Sequence, residues 1–258
     1  MIIDAHVHGP GVGSINVITA EDMLMKMHEN GIDVIVTHPI LWGAPGVPSW
    51  QSYVDANKII ADAAKKYPDK IIGFVRVNPH YKDRAADYLE MAVKEMGIAG
   101  LKLHPRNEAY AINSEVLVHP LIERLVKLKI PMITHTGDND FCTPLQVAQL
   151  ADSFPDATII MGHMGGTRAR EAIYFAKKHD NLVLETSFDK HLSVLKGAID
   201  AVGVDRVVFG SDLGGTALPH SPKLEIMRFD YLGLSEEEKE MVLGRSIARI
   251  LGREEEYY

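Results

Sequence analysis

The sequence turns on Asp4-Ala5-His6-Val7-His8, which closes the first apolar run of the chain, Met1 to Val7. Successive side chains on a strand point to opposite faces, so His6 and His8 are expected to share one face with Asp4, and Ile3, Ala5 and Val7 the other. Two imidazoles then lean toward one point. Neutral imidazole is the commonest biological metal ligand, and a His-x-His pair on rigid backbone supplies half of a four-ligand zinc site with little left to order. The tripeptide alone describes two strand-end histidines with no ion equally well, so the reading depends on where the other ligands fall.

Working outward, seven more short β-branched runs follow, at Asp33 to Thr37, Ile71 to Val77, Ala99 to Leu103, Met132 to Thr136, Thr158 to Gly162, Leu182 to Thr186 and Val207 to Ser211. With the first strand at Ile2 to Val7, their mean spacing is about 29 residues, close to one strand-helix unit. Helices are expected between them: from the Thr19/Asp22 capping pattern to Gly31, then Tyr53 to Lys66, Asp83 to Met96, Glu115 to Leu128, Pro144 to Phe154, Thr167 to His179, Lys190 to Val202, and Ser235 to Leu251. Eight such units suggest one (β/α)8 TIM barrel over residues 1–258, a size at which that fold is a single domain. Two Gly- and Pro-containing sections, Leu41 to Ser49 and Asp212 to Pro222, follow strands 2 and 8 and are candidate walls of the mouth. The acidic tail from Glu254 reads as a solvated end.

Composition narrows the function. The net charge of −8 offers no field to hold a polyanion, so nucleic acid is a poor partner. Cys142 is the single cysteine, which rules out an internal disulfide and fits a reducing compartment. No apolar run is long enough to span a membrane and no leader pattern opens the chain, so a cytoplasmic location is expected.

The strand ends carry the chemistry. Strand 1 ends in His6 and His8, strand 4 carries Lys102 and ends at His104, strand 5 ends in His135, strand 6 in His163 and strand 8 in Asp212. A barrel directs all of these ends into one mouth. A divalent ion among neutral imidazoles and a carboxylate keeps positive charge, lowers the pKa of a water toward ~7 and polarises a carbonyl. Beside it, His163 has the ordinary pKa range of a group that takes and gives protons, or else it orients a ligand.

Five motifs in order, Asp4-Ala5-His6-Val7-His8, Gly100-Leu101-Lys102-Leu103-His104-Pro105, Ile133-Thr134-His135-Thr136-Gly137, Gly162-His163-Met164-Gly165-Gly166 and Phe209-Gly210-Ser211-Asp212, resemble the amidohydrolase superfamily. The chain is most similar to its amidohydrolase-2 branch, the group of aminocarboxymuconate-semialdehyde decarboxylase, from the first strand to the last helix. The resemblance implies one divalent ion, zinc or alternatively manganese, held by His6, His8, His135 and Asp212, with His163 beside the water it holds and Asp212 touching both. Two departures stand out: Ser246 replaces the usual Asn of the last helix, and Leu213-Gly214-Gly215 replaces an aromatic-Pro after Asp212. The metal-dependent deoxyribonucleases share the opening His-x-His but place an acidic motif where this chain has Lys102 and His104.

The expected activity is metal-dependent hydrolysis of a small carboxylic amide, ester or lactone. The alternatives are non-oxidative decarboxylation with the same metal and an inactive metal- or metabolite-binding barrel. Arg76, Lys102 and His104 are the candidate substrate-binding residues for a small organic acid, Arg because its planar fork holds a carboxylate with two hydrogen bonds. Lys102 has two further readings, a carboxylated bridge between two metals and a structural pair with an acid such as Glu185. A homodimer is compatible with all of this.

Overall fold

A computed structural model describes residues 1–11, 19–41, 48–137, 140–188, 191–215 and 221–258. Eight parallel strands run in the order β1 to β8: β1 (Ile3–His8), β2 (Val34–His38), β3 (Ile71–Arg76), β4 (Gly100–Leu103), β5 (Met132–His135), β6 (Ile159–Gly162), β7 (Leu182–Glu185) and β8 (Val207–Val208). Helices lie between them, which makes the architecture a (β/α)8 TIM barrel. The eighth strand has only two residues, but its continuation completes the ring. The Ala5 N–H donates to Phe209 O at 2.9 Å, the Asp212 N–H to His6 O at 2.8 Å and the His8 N–H to Leu213 O at 2.8 Å.

The helices begin and end where local chemistry dictates. Thr19 and Asp22, Thr143 and Gln146, and Ser235 and Glu238 form reciprocal capping boxes, and Gly31 and Gly97 end their helices in the left-handed conformation. The expected helix at Glu115 to Leu128 starts later, at His119, with Pro120 in its first turn, where a missing N–H costs nothing. The last helix carries a π-helical segment, Met241–Arg245, and Ser246 in it donates to Val204 O at 2.9 Å. The C-terminal tail is not free: Tyr258 donates its hydroxyl to Met1 O at 2.8 Å, and Arg245 lies over its ring.

One expectation about β1 needs correction. Ile3 pairs with Val34 and Asp4 with Ile35, yet Val7 pairs with Thr37 and His8 with His38, so β1 spends one residue more than β2 on the same span. This bulge resets the alternation. Ile3 and Ala5 pack with Val36, Phe74, Ile133 and Val208 in the barrel interior, whereas Val7 packs with Ile35 and Met23 outside it. Asp4 therefore does not share the face of His8. Its carboxylate instead accepts from the Ser211 N–H at 2.9 Å, the His6 N–H at 3.1 Å and the Ser211 hydroxyl, stitching β1 to the end of β8. Burial pushes the Asp4 carboxyl up to about 7.

Candidate metal centre and its cavity

Above the apolar interior the strand ends become polar. His6, His8, His38, Arg76, Lys102, His104, His135, His163, Glu185 and Asp212 are all buried. Glu185, at the end of β7, organises the centre. Its Oε2 sits 2.7 Å from His6 Nδ1 and accepts the His163 N–H at 2.9 Å and the Ser187 hydroxyl at 2.9 Å, while Oε1 accepts the Ser187 N–H. With Nδ1 engaged, His6 presents the lone pair of Nε2, the arrangement by which carboxylates fix metal-binding histidines. The sequence reading set Glu185 beside Lys102; the structure gives it to His6. Gly210 makes this approach feasible, because a Cβ there would lie 2.3 Å from Glu185 Oε1.

Asp212 Oδ1 lies 2.8 Å from His8 Nε2 and 3.6 Å from His6 Nε2. Two groups of ligand atoms lie within 4.8 Å of one another: His6, His163 and Asp212, and His6, His8 and His38. His135 is joined to the first through His163, whose Nε2 lies 3.0 Å from His135 Nδ1; His163 Nδ1 faces the Ser187 hydroxyl at 2.8 Å. His104 stacks on His135 with ring centroids 4.3 Å apart. His38, which the sequence analysis does not single out, is fully buried, edge-on to His8 at 4.3 Å. Its signal was the register that puts it beside His8.

The electrostatics suit a cation. Burial holds His6, His38 and His163 well below the usual imidazole range and lowers His8, so all four are neutral and offer lone pairs. For Asp212 burial alone would raise the pKa, but the His8 hydrogen bond and the nearby Lys102 hold it below the ordinary value. The donor set, imidazoles with one ionised carboxylate, fits a divalent transition metal. Lys102 Nζ lies 2.9 Å from His6 Nε2, on the lone pair an ion would use, and burial pulls its pKa down to about 7. Binding an ion there requires Lys102 to release that contact.

Two residues of the centre hold unfavourable backbone. His163 has φ of +60° and Asp212 of +59°, a region that costs non-glycine residues about 1–3 kcal/mol and that clusters at functional sites. Gly215 lets the chain turn back against Asp212 and His8, since a Cβ would lie 2.4 Å from Asp212 Oδ1 and 2.6 Å from His8 Cδ2. An aromatic-Pro after Asp212 is thus replaced by a glycine turn that packs directly on two candidate ligands.

A cavity of about 840 Å³ opens over the centre, lined by His8, Lys102, His104, His135, His163 and Asp212 at its inner end and by Arg106, Arg168, Arg170, Phe188 and His191 farther out. Arg76 does not line it. Its Nε and Nη2 donate to Glu108 Oε1 at 3.0 and 2.7 Å, in a fully buried pair that Tyr53 joins with its hydroxyl at 2.9 Å. Arg76, expected as a substrate anchor, gives its Nε and Nη2 to Glu108, a residue the sequence reading does not single out, while its Nη1 has no hydrogen-bond partner among the described residues. The cavity arginines also escaped that reading, because Arg106, Arg168 and Arg170 follow their strands in turns and a helix start, where charge is common. Of the expected walls, residues 42–47 and 216–220 lie outside the described residues, as does the start of the helix expected from Lys190.

Among the described residues no helix is long and apolar enough to cross a membrane. Among curated proteins none matches the chain. Several solved structures share the fold. The chain is similar to 2,6-dihydroxybenzoate decarboxylase from Rhizobium, with 17% identity, TM-score 0.78, and coverage of 97% of this chain and 98% of that one. It is similar to 5-carboxyvanillate decarboxylase from Novosphingobium aromaticivorans, solved with manganese and a nitrobenzoic acid, with 18% identity, TM-score 0.76, and coverage of 92% and 81%. It is similar also to 4-oxalomesaconate hydratase from Rhodopseudomonas palustris, with 19% identity, TM-score 0.71, and coverage of 99% and 97%. A family model described as amidohydrolase matches residues 3–253, nearly the whole length, and by that match the chain belongs to the amidohydrolase family.

Proposed function

We propose that this amidohydrolase-family enzyme is a metal-dependent decarboxylase of a small organic acid. The observation that carries the reading is the buried centre of His6, His8, His163 and Asp212 at the floor of a cavity whose inner wall also holds Lys102 and His104. Two of the structures with the same fold are decarboxylases of carboxylated aromatics, which moves decarboxylation ahead of the hydrolysis that the sequence reading ranked first. Hydrolysis of an amide, ester or lactone remains the second reading, favoured by the likeness to a hydratase, an enzyme that handles water.

In this proposal His6, His8, His135 and Asp212 hold one divalent ion. Manganese, present in the 5-carboxyvanillate decarboxylase structure, and zinc both accept such a set. The ion supplies a Lewis acid that stabilises negative charge on substrate oxygen. Lys102 and His104 receive the substrate carboxylate against the centre. When the bond to that carboxylate carbon breaks, carbon dioxide leaves and the electron pair stays on the substrate carbon, which must take up a proton. In this reading His163 moves it, which is supported by its position between Ser187 and His135, since a neutral imidazole has one N–H and one lone pair.

Product analysis tests the reaction, since decarboxylation releases carbon dioxide and hydrolysis adds the elements of water. A panel of carboxylic acids and their amides and esters that yields only the second outcome sinks the decarboxylase. Residue roles are tested in the same preparation. His163→Asn is expected to keep the ion and lose about 10²- to 10⁴-fold in turnover, whereas His135→Ala is expected to lose most of the ion by elemental analysis. The reverse pattern would exchange the two roles.

A further inference from the structure

The cavity is charged unevenly along its length. Among its described lining residues the cations are Lys102, Arg106, Arg168 and Arg170, and the acids are only Glu171 and Asp212. Lys102 and Asp212 belong to the inner end. The outer end therefore sets three guanidinium groups against one carboxylate, on a chain whose net charge is −8. These arginines come from separate elements. Arg106 lies in the single turn Pro105–Glu108 after β4, Arg168 at the close of the turn His163–Arg168 after β6, and Arg170 in the first turn of the helix Ala169–Ala176. Their convergence is thus a product of the fold rather than of one basic stretch.

The neighbouring acids do not use up the charge of Arg168 and Arg170. Arg168 meets Glu171 at 3.9 Å and Asp140 at 3.7 Å, both beyond hydrogen-bond length, and Asp140 is fully solvated. Arg170 forms no ion pair among the described residues and is exposed to the cavity mouth. Like charges held together in a partly enclosed space repel, and an anion with several oxygens removes that cost while taking paired, charge-assisted hydrogen bonds from planar guanidiniums. The cavity is also roomy enough for more than one anchoring point, since about 840 Å³ is near the top of the roughly 300–1,000 Å³ range of small-molecule sites.

We infer that the substrate carries a second anionic group, a carboxylate or a phosphate, which binds at the outer end of the cavity to Arg168 and Arg170 while the reacting carboxylate lies at the inner end. The inference rests on the acid-substrate reading above and narrows it: the substrate is a dianion or larger, and the outer site sets which acid is accepted. The positive mouth also attracts such an anion from a distance, an effect that weakens as salt is raised.

Unreactive ligands separate this claim from the reaction itself. Benzoate, isophthalate and 3-phosphonobenzoate share one ring and differ in the second group. Titration calorimetry on the metal-loaded protein is expected to show at least one of the two dianions binding about ten-fold or more tighter than benzoate, the size of one good charge-assisted contact. Whichever dianion is tighter identifies the group. In the Arg168→Gln/Arg170→Gln double variant the advantage is expected to fall to about three-fold or less, with benzoate affinity unchanged, and Arg170→Lys is expected to keep part of it. Equal affinity of all three ligands for the wild type, including no detectable binding of any, overturns the inference, and so does an advantage that survives the double variant. Carbon dioxide release is not read in this titration. A chain that prefers dianions but decarboxylates none fails the functional reading and keeps the outer anion site.

Discussion

The two halves of the barrel mouth treat their buried polar groups differently. On the side built by β7, β8 and β1, most donors and acceptors are matched, His8 Nδ1 excepted: Glu185 collects His6, His163 and Ser187, Asp4 collects Ser211 and the His6 N–H, and Asp212 meets His8. On the side built by β2, β3 and the turn after β4, His38 Nε2, Arg76 Nη1, Asn78 Nδ2, Glu108 Oε2 and the Tyr110 hydroxyl are buried with no hydrogen-bond partner among the described residues. A satisfied network holds its members in one geometry, as a metal centre needs, while an unsatisfied one leaves polar capacity in low dielectric, where each unmet group costs about 1–3 kcal/mol. The difference separates the half that fixes ligands from the half that is built around the Arg76–Glu108 ion pair.

That ion pair is the sharpest place to break the contrast. Arg76→Met would leave Glu108 as an uncompensated buried charge, and such single deletions typically cost about 3–5 kcal/mol. Chemical denaturation should show a loss of this size, and Arg76→Met/Glu108→Gln should recover most of it, because Gln keeps an oxygen for the Tyr53 hydroxyl without the charge. A single variant as stable as the wild type, with weakened substrate binding instead, would return Arg76 to the anchoring role first expected of it.

The matched half should respond to a smaller change, through the metal rather than through the fold. Glu185→Gln keeps the shape but replaces an acceptor of four donors by a group with one oxygen, so His6 loses its fixed orientation and basicity. Metal affinity measured by chelator competition is expected to fall about 10- to 100-fold, with the barrel intact by circular dichroism. Unchanged affinity would mean that His6 is oriented by its bulged backbone alone.

How much of this was legible in the sequence depends on what each feature rests on. The eight strands were readable because β-branched runs at regular spacing carry a local signal, and the capping boxes at Thr19 and Ser235 were readable because they are local in sequence. His6, His8, His163 and Asp212 could be brought to one mouth from topology alone, since parallel strands aim their ends at the same side. What could not be read depended on register or on distant pairing. The bulge that turns Asp4 away from His8 is set by how β1 pairs with β2 and β8. The destination of Glu185 is decided across 179 residues by which side chain arrives at 2.7 Å. Arg76 showed its inward parity but not its partner, because Glu108 lies in a helical turn with no strand periodicity to place it.

The smallest expected effect is the one that best measures the unmatched half. The Tyr110 hydroxyl is buried without a hydrogen-bond partner among the described residues, and burial with the Glu108 charge close by pushes its pKa well above the ordinary phenol value. Removing a buried hydroxyl that makes no hydrogen bond leaves no orphan behind, so Tyr110→Phe should be neutral or stabilising by up to about 1 kcal/mol. Ser211→Ala is the matched control, because it deletes a hydroxyl that bonds Asp4 across the β8–β1 seam, and should destabilise by about 1–3 kcal/mol. Both changes remove one oxygen from a buried site within the same barrel mouth, so the difference between them isolates the partner. If Tyr110→Phe proves as costly as Ser211→Ala, the hydroxyl is satisfied in solution, and the β2–β4 half is as fully bonded as the metal half. If it leaves stability unchanged but weakens the binding of acids measured by calorimetry, that half faces the ligand, and the unmet atoms of Arg76 and Asn78 beside it become part of the binding surface.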